Sequence, residues 1–172
     1  IIEEYLKKFK DQLMPKPKNW KGKEWKGRKP GSYKWYEIQD TIDYYKEFEK
    51  PKLMMPDISL RGNFTFDSEG GFYCVNTAYI ISSTEKYLLG ILNSQLMNYC
   101  YRSISSTYRG GYLRYIYQYL AQLPIIKTGK DSPVYIKIES LVEQLLTAKK
   151  QFQQSKTASD KTYLERKCEV LD

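Results

Sequence analysis

Histidine is absent from this chain of 172 residues, and cysteine occurs only three times. The cysteines Cys74, Cys100 and Cys168 are widely spaced and include no Cys-x-x-Cys pair. These absences exclude zinc sites built on histidine or paired cysteine, Ser-His-Asp and Cys-His nucleophile systems, and imidazole acid–base chemistry. Three scattered thiols are typical of small buried side chains in a reducing compartment, so we expect a cytoplasmic protein.

Long apolar runs are also missing, and none approaches the ~20 residues that a membrane span needs. The first ten residues, IIEEYLKKFK, are too charged for the core of a signal peptide. We therefore expect no export and no membrane partner. The chain begins without Met and ends abruptly at Asp172, and we expect it to be a fragment of a longer protein.

Sequence motifs for common DNA-modifying chemistry are absent as well. No Gly-x-Gly turn for S-adenosylmethionine, no Pro-Pro stretch for a flipped adenine and no Gly-x-x-x-x-Gly-Lys phosphate loop occurs. Pro56-Asp57 lacks the following Asp/Glu-x-Lys of a metal-dependent nuclease, and we interpret Asp57 as a strand-end or turn residue. We expect no cofactor or metal in this chain. A diverged nuclease using Asp57, Asp67 or Glu69 is a weaker alternative.

What the chain has is positive charge among aromatic side chains. The net charge is +8, with seventeen Tyr and three Trp. Residues 16–36 read KPKNWKGKEWKGRKPGSYKWY, which has no helical or strand period and is punctuated as a loop. The only acid between Lys16 and Lys34 is Glu24. Cations that neutralise phosphates, with aromatic rings beside them, suit a nucleic acid.

A second basic segment runs from Arg102 to Leu120 and contains three arginines and no acid. Gly110-Gly111 predicts a tight turn or hinge that another molecule can approach closely. Arginine can clamp phosphate or bind a guanine edge with two hydrogen bonds. A turn followed by a Tyr-rich strand with only a structural role is an equally good interpretation of this segment alone.

Periodicity and turn signals predict an α+β fold: a small mixed or antiparallel sheet with a buried helix, followed by C-terminal helices. The predicted strands lie at 52–58, at 79–81 and at 123–126, and a hairpin is predicted over 64–76 with its turn at Gly70-Gly71. Pro56 makes the first of these strands an edge strand or a strand end. The predicted helices cover 1–13 and 82–101, the second opening with a Ser82–Glu85 capping box, and two more follow, one beginning at Ser132-Pro133 and one ending near Leu171.

The order of these segments resembles the TaqI-like C-terminal specificity domain. The likeness rests on YLKKFKDQL, KPKLMMPDIS, FTFDSEGGFYCVNTAYII, YLLGILNSQL and YRGGYLRYIYQYLAQLPI, and it extends from about residue 2 to residue 152. The resemblance implies a module behind an adenine-specific DNA methyltransferase domain in type IIG restriction-modification enzymes. The parent enzyme would use S-adenosylmethionine, and often Mg²⁺, while this module selects the DNA sequence.

We therefore predict a DNA target-recognition domain over 1–130 and a helical spacer over 131–172. The expected partners are double-stranded DNA and the methyltransferase or nuclease domain of the same parent chain. The predicted DNA-binding residues are Lys21, Lys26, Arg28, Lys29, Tyr33, Lys34, Trp35, Arg61, Arg102, Tyr108, Arg109, Gly110, Tyr112 and Arg114. A protein-interaction module of a multisubunit enzyme and an RNA-binding module are the alternatives.

Overall fold

The computed structural model describes residues 1–40 and 42–171. The chain consists of two compact units, Ile1–Tyr45 and Lys46–Asp172. Within the described residues, no helix is both long enough and apolar enough to cross a membrane. The functional boundary between residues 130 and 131 stays a prediction.

The first unit opens with two short helices, α1 (Ile2–Lys7) and α2 (Lys10–Leu13), where the apolar spacing predicts a single helix. Phe9 separates them, with φ −114° and ψ 14° that lie outside helical geometry. Pro15 follows α2 as the predicted stop, because proline cannot donate the next helical hydrogen bond. The loop predicted over residues 16–36 is confirmed, since this range contains no helix and no strand.

Among the described residues, five strands and five further α-helices follow, and all of them lie in the second unit. In chain order the elements are a 3₁₀ helix (Asp43–Glu49), β1 (Lys52–Pro56), β2 (Ile58–Ser59), β3 (Thr65–Asp67), β4 (Ala78–Ile81), α3 (Lys86–Asn93), α4 (Gln95–Ile104), a 3₁₀ turn (Arg109–Gly111), β5 (Leu113–Arg114), α5 (Tyr117–Leu120), α6 (Pro133–Gln154) and α7 (Ala158–Leu171). The strands form an antiparallel sheet in the order β3-β1-β4 and an antiparallel ribbon of β2 with β5. The predicted α+β fold class is confirmed.

β1 is the central strand of the sheet, so the prediction of an edge strand is wrong. β3 pairs with residues 52–54 of β1, and β4 pairs with residues 53–56. Pro56 is the last residue of β1 and lies opposite Ala78 of β4, beyond the end of the β3 ladder. Proline lacks an N–H donor, so it fits a central strand only where pairing on one side has stopped. The strand-end interpretation of Pro56 is confirmed.

The predicted hairpin over residues 64–76 is also wrong, because β3 pairs with β1 and residues 72–76 form no strand. The side chain of Asp67 binds the turn instead. Its Oδ1 accepts the amide of Gly70 at 3.0 Å, and its Oδ2 accepts the amide of Phe72 at 3.0 Å. These bonds satisfy backbone amides in and just after the turn. Gly70 has φ +72°, so one of the two predicted turn glycines has the left-handed backbone.

The long helix predicted over residues 82–101 is divided into α3 and α4 at Ser94. Ser94 has an extended backbone, with φ −62° and ψ 151°, and its Oγ accepts the amide of Met97 at 3.2 Å to cap α4. The predicted Ser82 capping box is wrong. The N-cap of α3 is Glu85, and no side chain caps that helix. The break at Ser94 agrees with the tendency of serine, whose hydroxyl competes for backbone hydrogen bonds, to lie at a helix cap and not inside a helix.

The buried helix of the prediction is confirmed in α3, which packs against α6. A side chain at Gly90 of α3 would lie within 2.8–2.9 Å of Ile138 and Val142 of α6, so glycine permits this close approach. α6 begins at the predicted Ser132-Pro133, although the Ser132 side chain makes no capping bond. The strand predicted over residues 123–126 is absent from the structure.

One hydrophobic core joins the sheet, the ribbon and helices α3, α4 and α6. Tyr101 of α4 and Tyr115, just after β5, stack within it with ring centroids 4.4 Å apart and an interplanar angle of 3°. The other core residues are Leu53, Met55, Phe64, Leu89, Leu92, Met97, Leu113, Leu123 and Val142. The core therefore fixes the position of β5 and of the arginine-containing segment beside it.

Candidate nucleic-acid interface

An exposed five-residue turn, Tyr108–Tyr112, leads into β5. Thr107 bridges to Leu113, and the amide of Tyr108 donates to the carbonyl of Tyr112 at 2.6 Å, so the two ends of the turn are held together. Arg109, Gly110 and Gly111 form its tip. We call this segment the Arg-Gly-Gly turn. It brings together four residues of the predicted site: Tyr108, Arg109, Gly110 and Tyr112.

Both glycines of the turn are required by backbone conformation. Gly110 has φ +75° and Gly111 has φ +79°, a region that other residues adopt at a cost of about 1–2 kcal/mol. Steric crowding by neighbouring atoms is not the reason for glycine at these two positions. A Cβ at Gly111 would meet nothing within 4 Å, and one at Gly110 would meet only the ring of Tyr112 at 3.5 Å. The glycines therefore determine the shape of an open turn.

Arg109 is exposed at the tip of the Arg-Gly-Gly turn, between tyrosines that are also exposed. Tyr108 is 55% exposed and Tyr112 is 41% exposed. Arg109 forms no hydrogen bond or ion pair with the residues that the structure describes. An arginine on a glycine-shaped turn with flanking aromatic rings can reach phosphate or a base edge.

Arg114 follows the turn on β5 and is held at its backbone and its side chain. Its Nε donates to Asp57 Oδ1 at 3.0 Å, and its carbonyl accepts the hydroxyl of Tyr101 at 2.6 Å. Burial raises the pKa of Tyr101, which keeps this hydroxyl protonated. Strand pairing opposite Ile58 fixes the backbone of Arg114. Asp57 lies between β1 and β2, which agrees with its interpretation as a strand-end residue, but its pairing with Arg114 was not predicted.

Arg102 lies on α4, beside the loop that carries Arg61. Its Nη2 donates to the carbonyl of Leu60 at 2.6 Å. The amide of Gly62 in the same loop donates to Asn98 of α4, so two residues of α4 hold this loop. Arg61 is exposed. The structure therefore places Arg102 against the backbone of the residue that precedes Arg61.

Buried Tyr115 lies near Arg102. Its hydroxyl has no hydrogen-bond partner among the described residues. Burial raises the pKa of Tyr115 to about 12, and the positive charge of Arg102 opposes that shift.

The basic loop of the first unit, residues 16–36, is closed by its own backbone. The amide of Lys16 donates to the carbonyl of Arg28 at 3.0 Å, and the amide of Arg28 donates to the carbonyl of Met14 at 2.9 Å. Trp20 and Trp25 pack edge to face inside the closure, with centroids 5.0 Å apart. These tryptophans fold the loop, which explains their presence in a segment without secondary structure.

Arg28 organises the basic loop from within. Its guanidinium lies 4.5 Å from the ring centroid of Tyr33. It donates to four backbone carbonyls, those of Leu13, Lys34, Trp35 and Glu37. Since its Nε, Nη1 and Nη2 are all engaged in these bonds, the structure gives Arg28 a role in shaping the loop. Its direct contact with DNA stays a prediction.

The other predicted cations of the basic loop differ in their surroundings. Lys21 and Lys26 are exposed and form no hydrogen bond or ion pair with the described part of the chain. Lys29 pairs with Asp40 at 2.8 Å, and Lys34 pairs with Glu37 at 3.7 Å. Exposed pairs of this kind are weak and exchange readily for another anion.

Trp35 and Tyr33 are half-buried within the first unit. The ammonium of Lys10 lies 5.6 Å from the ring centroid of Trp35, and the ring of Tyr36 contacts Trp35 edge-on at 5.5 Å. The Tyr33 hydroxyl donates to the carbonyl of Lys29. Contacts of Trp35 and Tyr33 with DNA stay predictions.

The three carboxylates of the alternative nuclease have separate environments. Asp57 binds Arg114, Asp67 binds Lys52 and turn amides, and Glu69 is exposed. Among the described residues, no group of three His, Cys, Asp or Glu side chains could hold a metal ion. The two aspartates therefore have roles in pairing and turn formation.

The chain carries a lysine-rich loop in its first unit and a glycine-shaped arginine turn in its second, and each has features typical of nucleic-acid binding. A family model described as the TaqI-like C-terminal specificity domain matches residues 3–125. The match covers well over half of the chain, and the chain belongs to this family. Membership supports a DNA target-recognition role in restriction-modification enzymes. The matched range contains the basic loop and the Arg-Gly-Gly turn, while α6 and α7 lie beyond it.

Proposed function

We propose that this chain is the sequence-specific, double-stranded DNA recognition module of an adenine-specific restriction-modification enzyme. The observation that carries the proposal is the Arg-Gly-Gly turn, whose exposed Arg109 has no partner among the described residues. Two positive-φ glycines shape the turn, and β5 attaches it to the core. Arg109 would reach a base edge, because a guanidinium can donate two hydrogen bonds to guanine O6 and N7.

The basic loop would supply affinity that does not depend on sequence. Lys21 and Lys26 would neutralise phosphates, and Lys29 and Lys34 could exchange their exposed carboxylate partners for phosphate. Arg61 and Arg102 would add contacts beside the turn. We further propose that other domains of the parent enzyme bind S-adenosylmethionine and Mg²⁺, that this chain itself is non-catalytic, and that the enzyme is cytoplasmic.

The test is selection of the 172-residue chain on randomised duplex DNA at low salt, followed by affinity measurements over a salt series. Enrichment of a short motif with a steep salt dependence is the expected result. Salt-dependent binding without a motif would leave only general nucleic-acid binding. Single-stranded RNA of matched length is the competitor that separates DNA recognition from RNA recognition.

A protein-interaction role has one specific observation in its favour. An apolar groove of about 620 Å³ lies between α3, α4 and α6, and Leu96 and Ile126 on it are 72% and 71% exposed. Exposed apolar surface of this kind is typical of interaction sites. This alternative predicts little salt dependence and no enrichment of a DNA motif.

A further inference from the structure

The ion pair between Asp57 and Arg114 leaves part of the arginine unused. Only Nε of Arg114 bonds to Asp57, at 3.0 Å, and neither Nη group has a hydrogen-bond partner among the described residues. The Arg114 side chain is 36% exposed, while that of Asp57 is 15% exposed. Asp57 is therefore the more buried member of the pair, and the side chain of Arg114 reaches the surface.

Asp57 is itself held against the strand that carries Arg114. Its carbonyl accepts the amide of Tyr115 at 2.7 Å, and its amide donates to the carbonyl of Thr77 at 2.9 Å. The hydroxyl of Tyr101 donates a further hydrogen bond to the carbonyl of Arg114. Backbone and side chain are thus restrained on both partners. An arginine restrained in this way loses little rotamer freedom when its remaining donors bind a ligand.

The alternating pattern of β5 directs Arg114 away from the core. Leu113 is 1% exposed and packs in the core, and successive side chains on a strand point to opposite faces. β5 directly follows the Arg-Gly-Gly turn, so Arg114 and Arg109 belong to one continuous segment. If DNA binds at the Arg-Gly-Gly turn, Arg114 is therefore only two residues beyond the end of that turn.

We propose that Arg114 is a specificity-determining residue that reads one guanine in the target and that Asp57 is its positioning residue. The two Nη groups form one edge of a planar fork, which matches the paired acceptors O6 and N7 of guanine in the major groove. Asp57 holds the Nε side of that fork. This inference rests on the proposed function. It adds that one base of the target is a guanine and that Asp57 acts on recognition indirectly, by positioning Arg114.

The experiment compares selected DNA motifs among variants of the 172-residue chain. Wild type, Arg114→Lys, Asp57→Ala and Asp57→Asn are each selected on randomised duplexes, and binding is then measured on the wild-type motif and on duplexes changed at single base pairs. Arg166→Lys and Asp131→Asn are the matched controls, since both residues are exposed in the C-terminal part of the chain. Circular dichroism melting shows which variants fold. If Asp57→Ala does not fold, Asp57→Asn takes its place in the comparison.

The expected result is that Arg114→Lys and Asp57→Ala both lose preference at the same G·C pair, by about tenfold or more, while the rest of the motif is retained. Asp57→Asn should lose less, because its amide oxygen still accepts from Nε. Two results would overturn the inference alone: equal weakening on every duplex, which indicates a phosphate contact, or a motif that is unchanged in both folded variants. If wild type enriches no motif, the proposed function fails, and the inference fails with it.

Discussion

Lys52 and Asp67 form a buried ion pair between β1 and β3, with side chains that are 0% and 3% exposed. Lys52 also donates to the carbonyl of Phe48 at 2.7 Å, so the ammonium has more than one acceptor. Burial opposes ionisation of Asp67. The hydrogen bonds from Lys52 and from the amides of Phe72 and Gly71 outweigh that effect and hold the pKa of this carboxyl well below its ordinary value.

Removing one member of this pair should strongly destabilise the second unit. Lys52→Met leaves a buried carboxylate without its cation, and such a change costs about 3–5 kcal/mol. Urea denaturation at neutral pH would show it as a lower midpoint. Lys50→Met, at an exposed lysine two residues away, should change the midpoint little. A Lys52→Met protein as stable as wild type would show that the ion pair contributes no net stability.

The same pair predicts a dependence of stability on pH. The folded state lowers the pKa of Asp67, so its contribution is fully present above the ordinary pKa of an aspartate, about 4, and is lost as pH falls below it. Wild-type denaturation midpoints should therefore fall in acid. In Asp67→Asn the stability at neutral pH should be lower, and the acid-dependent loss should be smaller. An equally steep acid loss in Asp67→Asn would assign the effect to other carboxyls.

The Arg-Gly-Gly turn should be sensitive to alanine at either glycine, although both positions are open. Gly110→Ala and Gly111→Ala each force a non-glycine residue into positive φ, at about 1–2 kcal/mol, or change the shape of the turn. We expect weaker binding to the selected DNA motif, while the melting temperature falls by only a few degrees, since 1 kcal/mol corresponds to about 2–4 °C in a chain of this size. Gly71→Ala is the matched control, because Gly71 is also open and has no positive φ. Unchanged DNA binding in both turn variants would remove this turn from the interface.

Arg109→Ala should relax specificity at one base pair of the target, at about 1–3 kcal/mol if the contact is bidentate. The measurement is binding to the selected motif and to its single-base variants. Arg166→Ala on α7 keeps the same change in charge and should leave the profile unchanged. Equal affinities for wild type and Arg109→Ala on every duplex would contradict the assignment.

Lys21→Ala should weaken binding to all duplexes alike and reduce the slope of log K against log salt by about one unit. The reason is that a lysine on a phosphate releases counterions without reading sequence. Lys167→Ala, an exposed lysine on α7, serves as the comparison. A changed sequence preference in Lys21→Ala would show that this lysine contacts bases.

Arg28→Ala should open the basic loop, because Arg28 donates to four carbonyls of the first unit. Faster hydrogen exchange over residues 14–37 is the expected readout, together with weaker binding to every DNA. Lys29→Ala removes a neighbouring charge whose only described partner is Asp40, and it should leave exchange nearly unchanged. Normal exchange in Arg28→Ala would contradict the structural role.

The local features of this protein were predictable from the sequence. The α+β class, the loop over residues 16–36, the start of α6 at Ser132-Pro133 and the turn at Gly110-Gly111 all follow from the residues at those positions. Composition, hydrophobic periodicity and the special backbones of proline and glycine act over a few residues, so the sequence shows them directly. The order of motifs was sufficient to indicate the family.

Pairing between distant residues was decided by the tertiary structure alone. Arg114 lies 57 positions from its carboxylate partner, and nothing at Asp57 distinguishes it locally from a turn residue. Phe64 exchanges hydrogen bonds with Asn93, which favours a helix break that periodicity does not show. β1 is central because β3 and β4 form hydrogen bonds with its two edges. A sequence pattern describes one strand at a time and does not show which strands pair. The basic loop and the arginine segment were visible in the sequence, whereas the engagement of Arg28 and the open Nη groups of Arg114 depend on contacts that only folding creates.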